Sequence, residues 1–599
     1  LSITPLRFSP YFLVLLVFAV AAPVLRSQPE AAPGPPPVLR NVSAAETDQA
    51  ERWLRSLSLR ERIAQLLVVP FYGFFPEIGS EAELRFRKLV GEVGVGGVII
   101  LNRVQEGAVR RAQPYEMAAF LNHLQRQARV PLLVAGDFER GPSMRLDGMT
   151  LFPHAMAFGS AGDLELTRRF GEATACEARA LGVHWILAPS ADVNSEPENP
   201  VIHLRSFGET APEVSRQVTA FIQGVQENPR CPLLATVKHF PGHGDTNVDS
   251  HYGLPSIKRP LTVLENEDIP PFRAAIDAGV ASVMPGHLSV PALDATGVPA
   301  TVSRPVVTGY LREKLRFGGL VATDGMDMDG LTKLYPAGEA SVRALEAGAN
   351  VLVIPPDPEA SLQAIEQAVR EGRLSEQQIE DSARRVLLAK VKLKLHEARV
   401  TDLEKIAGTV PSAQSQALAL EVARRAITPL RNRRATLPLR GDAANCVVVL
   451  NRNPFMPDGR TFVRSFRQQN AKAKSWFVDE TWSDAALGQL RRDLRGCATV
   501  SVASFISISG FKPGEVPLPK RQAGLVKALE RNPARLVILG FTNPYLASHF
   551  PKASAAVAPF SSVPISEQAT AEALFGAFPM TGKSPVTIRG LVDAMTDSQ

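Results

Sequence analysis

Eight short apolar runs recur through the first two thirds of this chain, and their rhythm restricts its fold more than any other feature. They lie at Leu66–Val69, Val95–Leu101, Pro131–Ala135, His184–Ala188, Leu233–Val237, Ala281–Met284, Gly319–Ala322 and Asn350–Ile354. Helical periodicity fills the segments between them, as at 164–181 and 271–279. Eight strands alternating with helices over some 300 residues predict an α/β fold of the (β/α)8, TIM-like barrel type. A doubly wound sheet would also alternate, but it gives no reason for the polar residues just past the runs. These are Asp137, Asp192, Lys238-His239, His287 and Asp324. In a barrel these strand ends converge on one face. Asp192, followed by Asn194 and Asn199, serves equally well as a loop cap. His287 reads more readily as a satisfied structural histidine.

The rest of the 599 residues divides around that barrel. Arg7 precedes an apolar run from Tyr11 to about Leu25, shorter than the ~20 residues of a membrane span. Ala19-Val20-Ala21 fits a cleavage site, so residues 1–28 read as a signal peptide or N-terminal anchor. A Pro-rich linker covers 29–46, and Ser58-Leu59-Arg60-Glu61 reads as a capping box that opens a helix. The barrel is expected over 47–395 and a helical connection over 396–430. A smaller α/β sandwich is expected over 431–599, with strands at 446–450, 476–478, 498–505, 536–540 and 555–558. It carries no clustered acid/base set.

Composition excludes some function classes. The net charge of +6 is spread along the chain, with no basic block interleaved with aromatics, so no nucleic-acid partner is expected. No obligate protein partner is evident either. Cys176, Cys231, Cys446 and Cys497 are far apart and form no CxxC, which suggests neither a disulfide framework nor a zinc site. Cys446 and Cys497 open two strands of the second domain that could be neighbours. The expectation is nonetheless reduced core thiols.

The chemistry concentrates in Lys238-His239-Phe240-Pro241-Gly242-His243-Gly244-Asp245-Thr246-Asn247-Val248-Asp249-Ser250-His251. A strand end that delivers one Lys, three His and two Asp into a glycine-punctuated loop suits an active site. Asp249 and His251 are two apart, so an extended segment puts both on one side. The carboxylate can then orient the ring for proton transfer. Asp324, just past a buried strand, can attack an anomeric carbon; its other reading is a helix N-cap. Zinc at His239, His243 and His251 is disfavoured because Pro241 and Gly242 break the helix that an HExxH site needs. No P-loop pattern is present, and no metal or organic cofactor is expected.

The long loop, with Asp192-Val193-Asn194-Ser195, Asn199-Pro200-Val201-Ile202, Arg205-Ser206-Phe207-Gly208 and Thr323-Asp324-Gly325-Met326-Asp327-Met328, resembles glycoside hydrolase family 3 β-N-acetylglucosaminidases. The resemblance spans about residues 50–395. Asn543-Pro544-Tyr545-Leu546 and Gly582-Lys583-Ser584-Pro585-Val586 are similar to that family's C-terminal sandwich domain. It implies Asp324 as nucleophile, His251 as acid/base and Asp249 as its partner. It further implies sugar binding by Asp137, Arg145, Arg205, Lys238 and His239, with Met328 in the pocket wall. One departure is the turn Glu139-Arg140-Gly141-Pro142, where the family has Glu-Gly-Gly-Arg. Another is Asn350, where Asp is frequent.

The implied function is an exported, periplasmic or extracellular retaining exo-glycosidase. It would release terminal β-linked N-acetylglucosamine from peptidoglycan fragments or chitooligosaccharides. Three alternatives stay open: a β-glucosidase whose acid/base would be a second-domain Glu such as Glu515, a phosphorylase, and a non-catalytic carbohydrate-binding protein.

Overall fold

The computed structural model describes residues 42–105, 108–511 and 514–592. The expected signal or anchor and all but the end of the Pro-rich segment lie outside them. Helix Ala44–Ser56 begins inside the stretch assigned to the linker, capped by the Ser43/Glu46 box. The Ser58/Glu61 box opens helix Leu59–Ala64 as the sequence indicates.

Eight parallel strands come next: β1 Leu67–Phe71, β2 Gly97–Ile100, β3 Leu133–Gly136, β4 Trp185–Ile186, β5 Leu234–Phe240, β6 Ser282–Pro285, β7 Leu320–Val321 and β8 Leu352–Val353. From β1 to β7 each pairs with the next, and β8 pairs with β1. A parallel bridge between Ala322 and Val351, with Asn350 N donating to Val321 O at 2.8 Å, closes the ring between β7 and β8. The strands are buried on both faces, which is why they read as continuous apolar runs rather than alternating ones. Asn350 fits its place. Its Oδ1 accepts from Val321 N at 3.1 Å and Arg312 Nη2 at 2.5 Å, and its Nδ2 donates to Ser382 Oγ at 3.1 Å.

Outer helices Leu164–Ala180 and Ala211–Gln226 pack closely through glycines. A Cβ at Gly224 would fall 2.0 Å from Arg168 O. A disulfide between Cys176 and Cys231 ties the first helix to the segment just beyond the second.

The second domain is a six-stranded sheet in the order β9-β14-β13-β12-β10-β11. Its strands are β9 Thr428–Asn432, β10 Asn445–Leu450, β11 Lys474–Val478, β12 Thr499–Ser504, β13 Arg535–Gly540 and β14 Ala555–Ala558. All neighbours are parallel except the edge strand β9, antiparallel to β14. The apolar pattern does not reveal β9, a short strand broken by Pro429. Cys446 and Cys497 form a second disulfide, with Cα atoms 5.9 Å apart. The expectation of four reduced thiols is therefore corrected. The chain runs from β10 to one neighbour, β11, and then crosses to the other, β12. That crossover brings cysteines 51 residues apart together, and nothing local in the sequence records it.

The two domains share a packed boundary. Met156, Ala157 and Leu204 of the barrel join the core cluster that holds Tyr545, Val586 and Ile588. The tail returns to the barrel, where Lys583 N donates to Ser160 O at 3.1 Å and Thr587 N to Glu209 Oε2 at 2.8 Å.

Candidate active site

The carboxyl ends of β3 and β5 build a buried ionic network. Lys238 Nζ lies 2.7 Å from Asp137 Oδ1 and 2.8 Å from Glu139 Oε1. Arg145 Nη2 donates to Asp137 Oδ2 at 2.8 Å. Arg205 places Nη2 and Nε on the two Glu139 oxygens at 2.7 and 2.9 Å, a forked pair. Two carboxylates thus face three cations. Burial disfavours every charge here, but the pairing prevails. Lys238 and Glu139 hold each other charged: burial lowers the lysine, yet Asp137 and Glu139 raise it overall. Glu139, against its own burial, is pulled well below the carboxylate range by Arg205 and Lys238. The departure at Arg140-Gly141-Pro142 leaves this intact. Gly141 takes φ +77°, a left-handed backbone angle that suits glycine, and the turn still returns Arg145 to Asp137. Sequence reasoning omitted Glu139. The only signal for it was its position two residues after Asp137, which puts both carboxylates on the same side of an extended segment.

Asp192, which by sequence serves equally well as a strand-end site residue or a loop cap, is the hub beneath this network. Fully buried, its carboxylate receives the His239 amide at 3.2 Å, the His243 amide at 2.7 Å and Ser190 Oγ at 2.8 Å. It also holds His239 Nδ1 at 2.8 Å. The opposite ring nitrogen, Nε2, meets Arg205 Nη2 at 3.3 Å. The β5 register against β6 shifts between Lys238 and Phe240, a local irregularity of the kind that re-aims side chains. Gly244 lies so close to Val193 O that a Cβ would fall 1.6 Å away. Asn199 Nδ2 donates to both His243 O and Gly244 O at 2.9 Å. The base of the loop is thereby fixed.

Asp324 lies just beyond β7. Gly325 N donates to its Oδ1 at 2.8 Å. Burial opposes its charge, but His239, His287, the Gly325 amide and Lys238 together hold it below the ordinary carboxylate range. His287 bonds Gly325 O through Nε2 and Thr301 Oγ1 through Nδ1, both at 2.9 Å. It is structural, as the sequence suggests, but the turn it fixes is the one that carries Asp324. Met328 packs over that turn, its Sδ 3.6 Å from where a Gly325 Cβ would stand.

Asp249 and His251 form the expected pair. Asp249 Oδ1 accepts from His251 N and meets His251 Nδ1, each at 2.8 Å. The hydrogen bond to Asp249 is the largest influence on the ring and raises its pKa above 6.5; the Asp324 charge adds to this. The His251 side chain remains 55% exposed. His243 is different. It is buried and pushed down to about 4 by that burial, and its Nε2 meets Ser250 Oγ at 3.1 Å, so it braces the loop.

Asp249 lines a cleft of about 1080 Å3 between the domains. Barrel loops 195–200 and 247–253 form one side. Second-domain loops after β12 and β13, including Phe511, Gly514, Glu515 and His549, form the other. Glu198 Oε1 accepts from Gly514 N at 2.7 Å across it. Both domains therefore present the carboxyl ends of their strands to one space.

A closed parallel barrel with paired carboxylates, cations and an oriented histidine at its carboxyl face is an arrangement suited to acid/base and nucleophilic catalysis on a polar substrate. The model of the glycosyl hydrolase family 3 N-terminal domain matches residues 58–389. The chain belongs to that family and is a glycosidase that acts on carbohydrate substrates. It is 26% identical over 563 residues to a β-N-acetylglucosaminidase/β-glucosidase of Cellulomonas fimi, covering 90% of this chain and 96% of that one. It is 31% identical over 384 residues to β-hexosaminidase A of Pseudoalteromonas piscicida, covering 59% and 62%. Among solved structures, a family 3 β-N-acetylglucosaminidase from Paenibacillus sp. str. FPU-7 superposes with a TM-score of 0.79. It shares 31% identity and covers 90% of this chain and all of its own.

Proposed function

We propose that the protein is a retaining exo-β-N-acetylglucosaminidase. Asp324 Oδ2 attacks the anomeric carbon. The glycosidic C–O bond breaks, and the departing oxygen takes a proton from His251. Because Nδ1 is engaged by Asp249, Nε2 is the nitrogen that delivers it. Water then attacks the glycosyl-Asp324 ester, Nε2 takes the water's proton, and Asp324 is released. Asp137, Arg145, Arg205, Lys238 and His239 hold the sugar hydroxyls, and Met328 flanks the ring. Terminal N-acetylglucosamine of peptidoglycan fragments or chitooligosaccharides is the substrate. The observation that carries this reading is the 2.8 Å Asp249–His251 hydrogen bond, on a ring that also lies in the field of the half-buried Asp324. The names of the relatives at 26–31% identity support the sugar assignment. Two disulfides, with no free cysteine among the described residues, support an exported, oxidising location.

The test is nitrophenol release from the β-N-acetylglucosaminide and the β-glucoside, each with and without phosphate. Preference for the acetamido sugar, free N-acetylglucosamine as product and abolition by Asp324→Asn are expected. A sugar 1-phosphate product would make the enzyme a phosphorylase, and turnover of the glucoside alone would refute the sugar assignment.

One observation favours a second reading. Glu515 lines the same cleft as Asp249, where a β-glucosidase acid/base from the second domain would have to stand.

A further inference from the structure

A second cavity, of about 600 Å3, lies entirely within the second domain. It opens beyond Leu450 and Val478, the last residues of β10 and β11. Open parallel sheets bind ligands outside this carboxyl edge. Helix Arg460–Gln469 forms one wall. Arg460, Arg464 and Arg467 fall on one face of it by their spacing and all line the cavity.

Arg464 Nη2 donates to Thr461 Oγ1 at 3.3 Å and Arg467 Nη2 to Ser475 Oγ at 2.9 Å. None of the three pairs with a carboxylate among the described residues. Asp479, the acid in the wall, is turned to Thr481 rather than to the arginines: its Oδ1 accepts from Thr481 N at 2.8 Å and Thr481 Oγ1 at 2.5 Å.

An arginine stripe alone is ordinarily a solvated face. One further observation sets this one apart. Phe477 is an apolar wall residue left 38% exposed, and Phe455, between two lining residues, is 89% exposed. Exposed aromatic faces beside arginine forks suit a ring that carries an acid group.

We propose that this cavity binds an anionic sugar, a ring bearing a carboxylate or phosphate, apart from the catalytic site of the barrel. The guanidinium forks of Arg464 and Arg467 take the acid group, and Phe477 covers an apolar ring face. The volume is that of a small-molecule site. The second domain would then hold acidic glycan while the barrel trims chain ends.

The test is calorimetric titration of N-acetylmuramic acid, N-acetylglucosamine 6-phosphate and neutral N-acetylglucosamine into wild type and Arg464→Ala/Arg467→Ala. The acidic sugars should bind at least tenfold more weakly to the variant. Neutral sugar binding, thermal midpoint and nitrophenyl turnover should not change. Whichever acid binds more tightly to wild type identifies the group recognised. Arg464→Lys/Arg467→Lys keeps the charge without the fork and should lose part of the affinity, which guards against a fold defect in the alanine variant. Equal binding of the acidic sugars to wild type and alanine variant would overturn the proposal. So would equal loss of the neutral sugar, or tighter binding of a single-stranded oligonucleotide than of either acid.

Discussion

Replacing Asp249 by Asn separates the charge of the dyad from its geometry. Asn is isosteric and its Oδ1 still accepts from His251 Nδ1–H, so the ring keeps its orientation and Nε2 its role. What is lost is the attraction between carboxylate and imidazolium across 2.8 Å. With the ring 55% exposed, screening is close to that of water, and Coulomb's law gives about 1.5 kcal/mol. That corresponds to about one pH unit. The sign comes from the chemistry. In the proposed mechanism His251 acts as an acid in the first step, and Asp249 holds it above 6.5. The alkaline limb of kcat/KM therefore lies above the ordinary histidine range, and activity is lost as pH rises through that raised value. Asp324 is held below the carboxylate range, so the acid limb lies low and does not depend on Asp249. In Asp249→Asn the alkaline limb should move down by about one unit while the acid limb stays. The assay is the pH profile of kcat/KM with a nitrophenyl glycoside and with a chitooligosaccharide. His251→Ala should remove the limb and cost about 10²–10⁴-fold with the oligosaccharide. A rate loss in Asp249→Asn with the alkaline limb unmoved would show that His251 is not the titrating acid.

The same geometry gives three further outcomes. Glu139→Gln leaves Arg205 and Lys238 short of a buried counter-charge; it should raise KM and lower unfolding stability by about 3 kcal/mol, read by substrate saturation and urea denaturation. Glu515→Gln should change turnover less than about twofold, since general acid/base loss would cost about 10²-fold or more. Such a loss, with His251→Ala harmless, would establish the second-domain acid. Cys446→Ser/Cys497→Ser should lower stability by about 2–4 kcal/mol with little effect on nitrophenyl turnover, measured by thermal melting and initial rates.

The barrel was legible because strands buried on both faces must be apolar along their whole length, and that periodicity survives in sequence. The Asp249–His251 pair was legible for a similar local reason, being two residues apart. Asp192, Glu139 and the two disulfides were not. Asp192 acts through His239 and His243, 47 and 51 residues away. Its role depends on β4 lying beside β5 and on the fold of the loop beyond. Glu139 was overshadowed by Asp137 because its partners come from elsewhere in the barrel, Lys238 from β5 and Arg205 from the segment beyond β4. Cys446 and Cys497 meet only because the second sheet reverses direction at β10. In each case the missing information is which strands are neighbours, and no local spacing encodes it.

The site divides its charged groups by what each must do. The cations expected to grip sugar hydroxyls sit deep, where a fixed dipole or charge acts strongly, and such burial is tolerable only because Asp137, Glu139 and Asp192 offset it. A proton-transfer group has the opposite requirement. It must exchange protons with solvent between half-reactions, and a histidine buried among those cations would be driven neutral, as burial drives His243 to about 4. His251 escapes that by standing on the exposed arm of a loop whose base is pinned by Asn199 and Gly244. Asp249 then restores the basicity that the exposed position alone would not supply. A carboxylic acid in the place of His251 would face Asp324 as a like charge whenever both were ionised. An imidazole is neutral or positive and never repels it, so Asp324 keeps the low pKa that its proposed role as nucleophile requires.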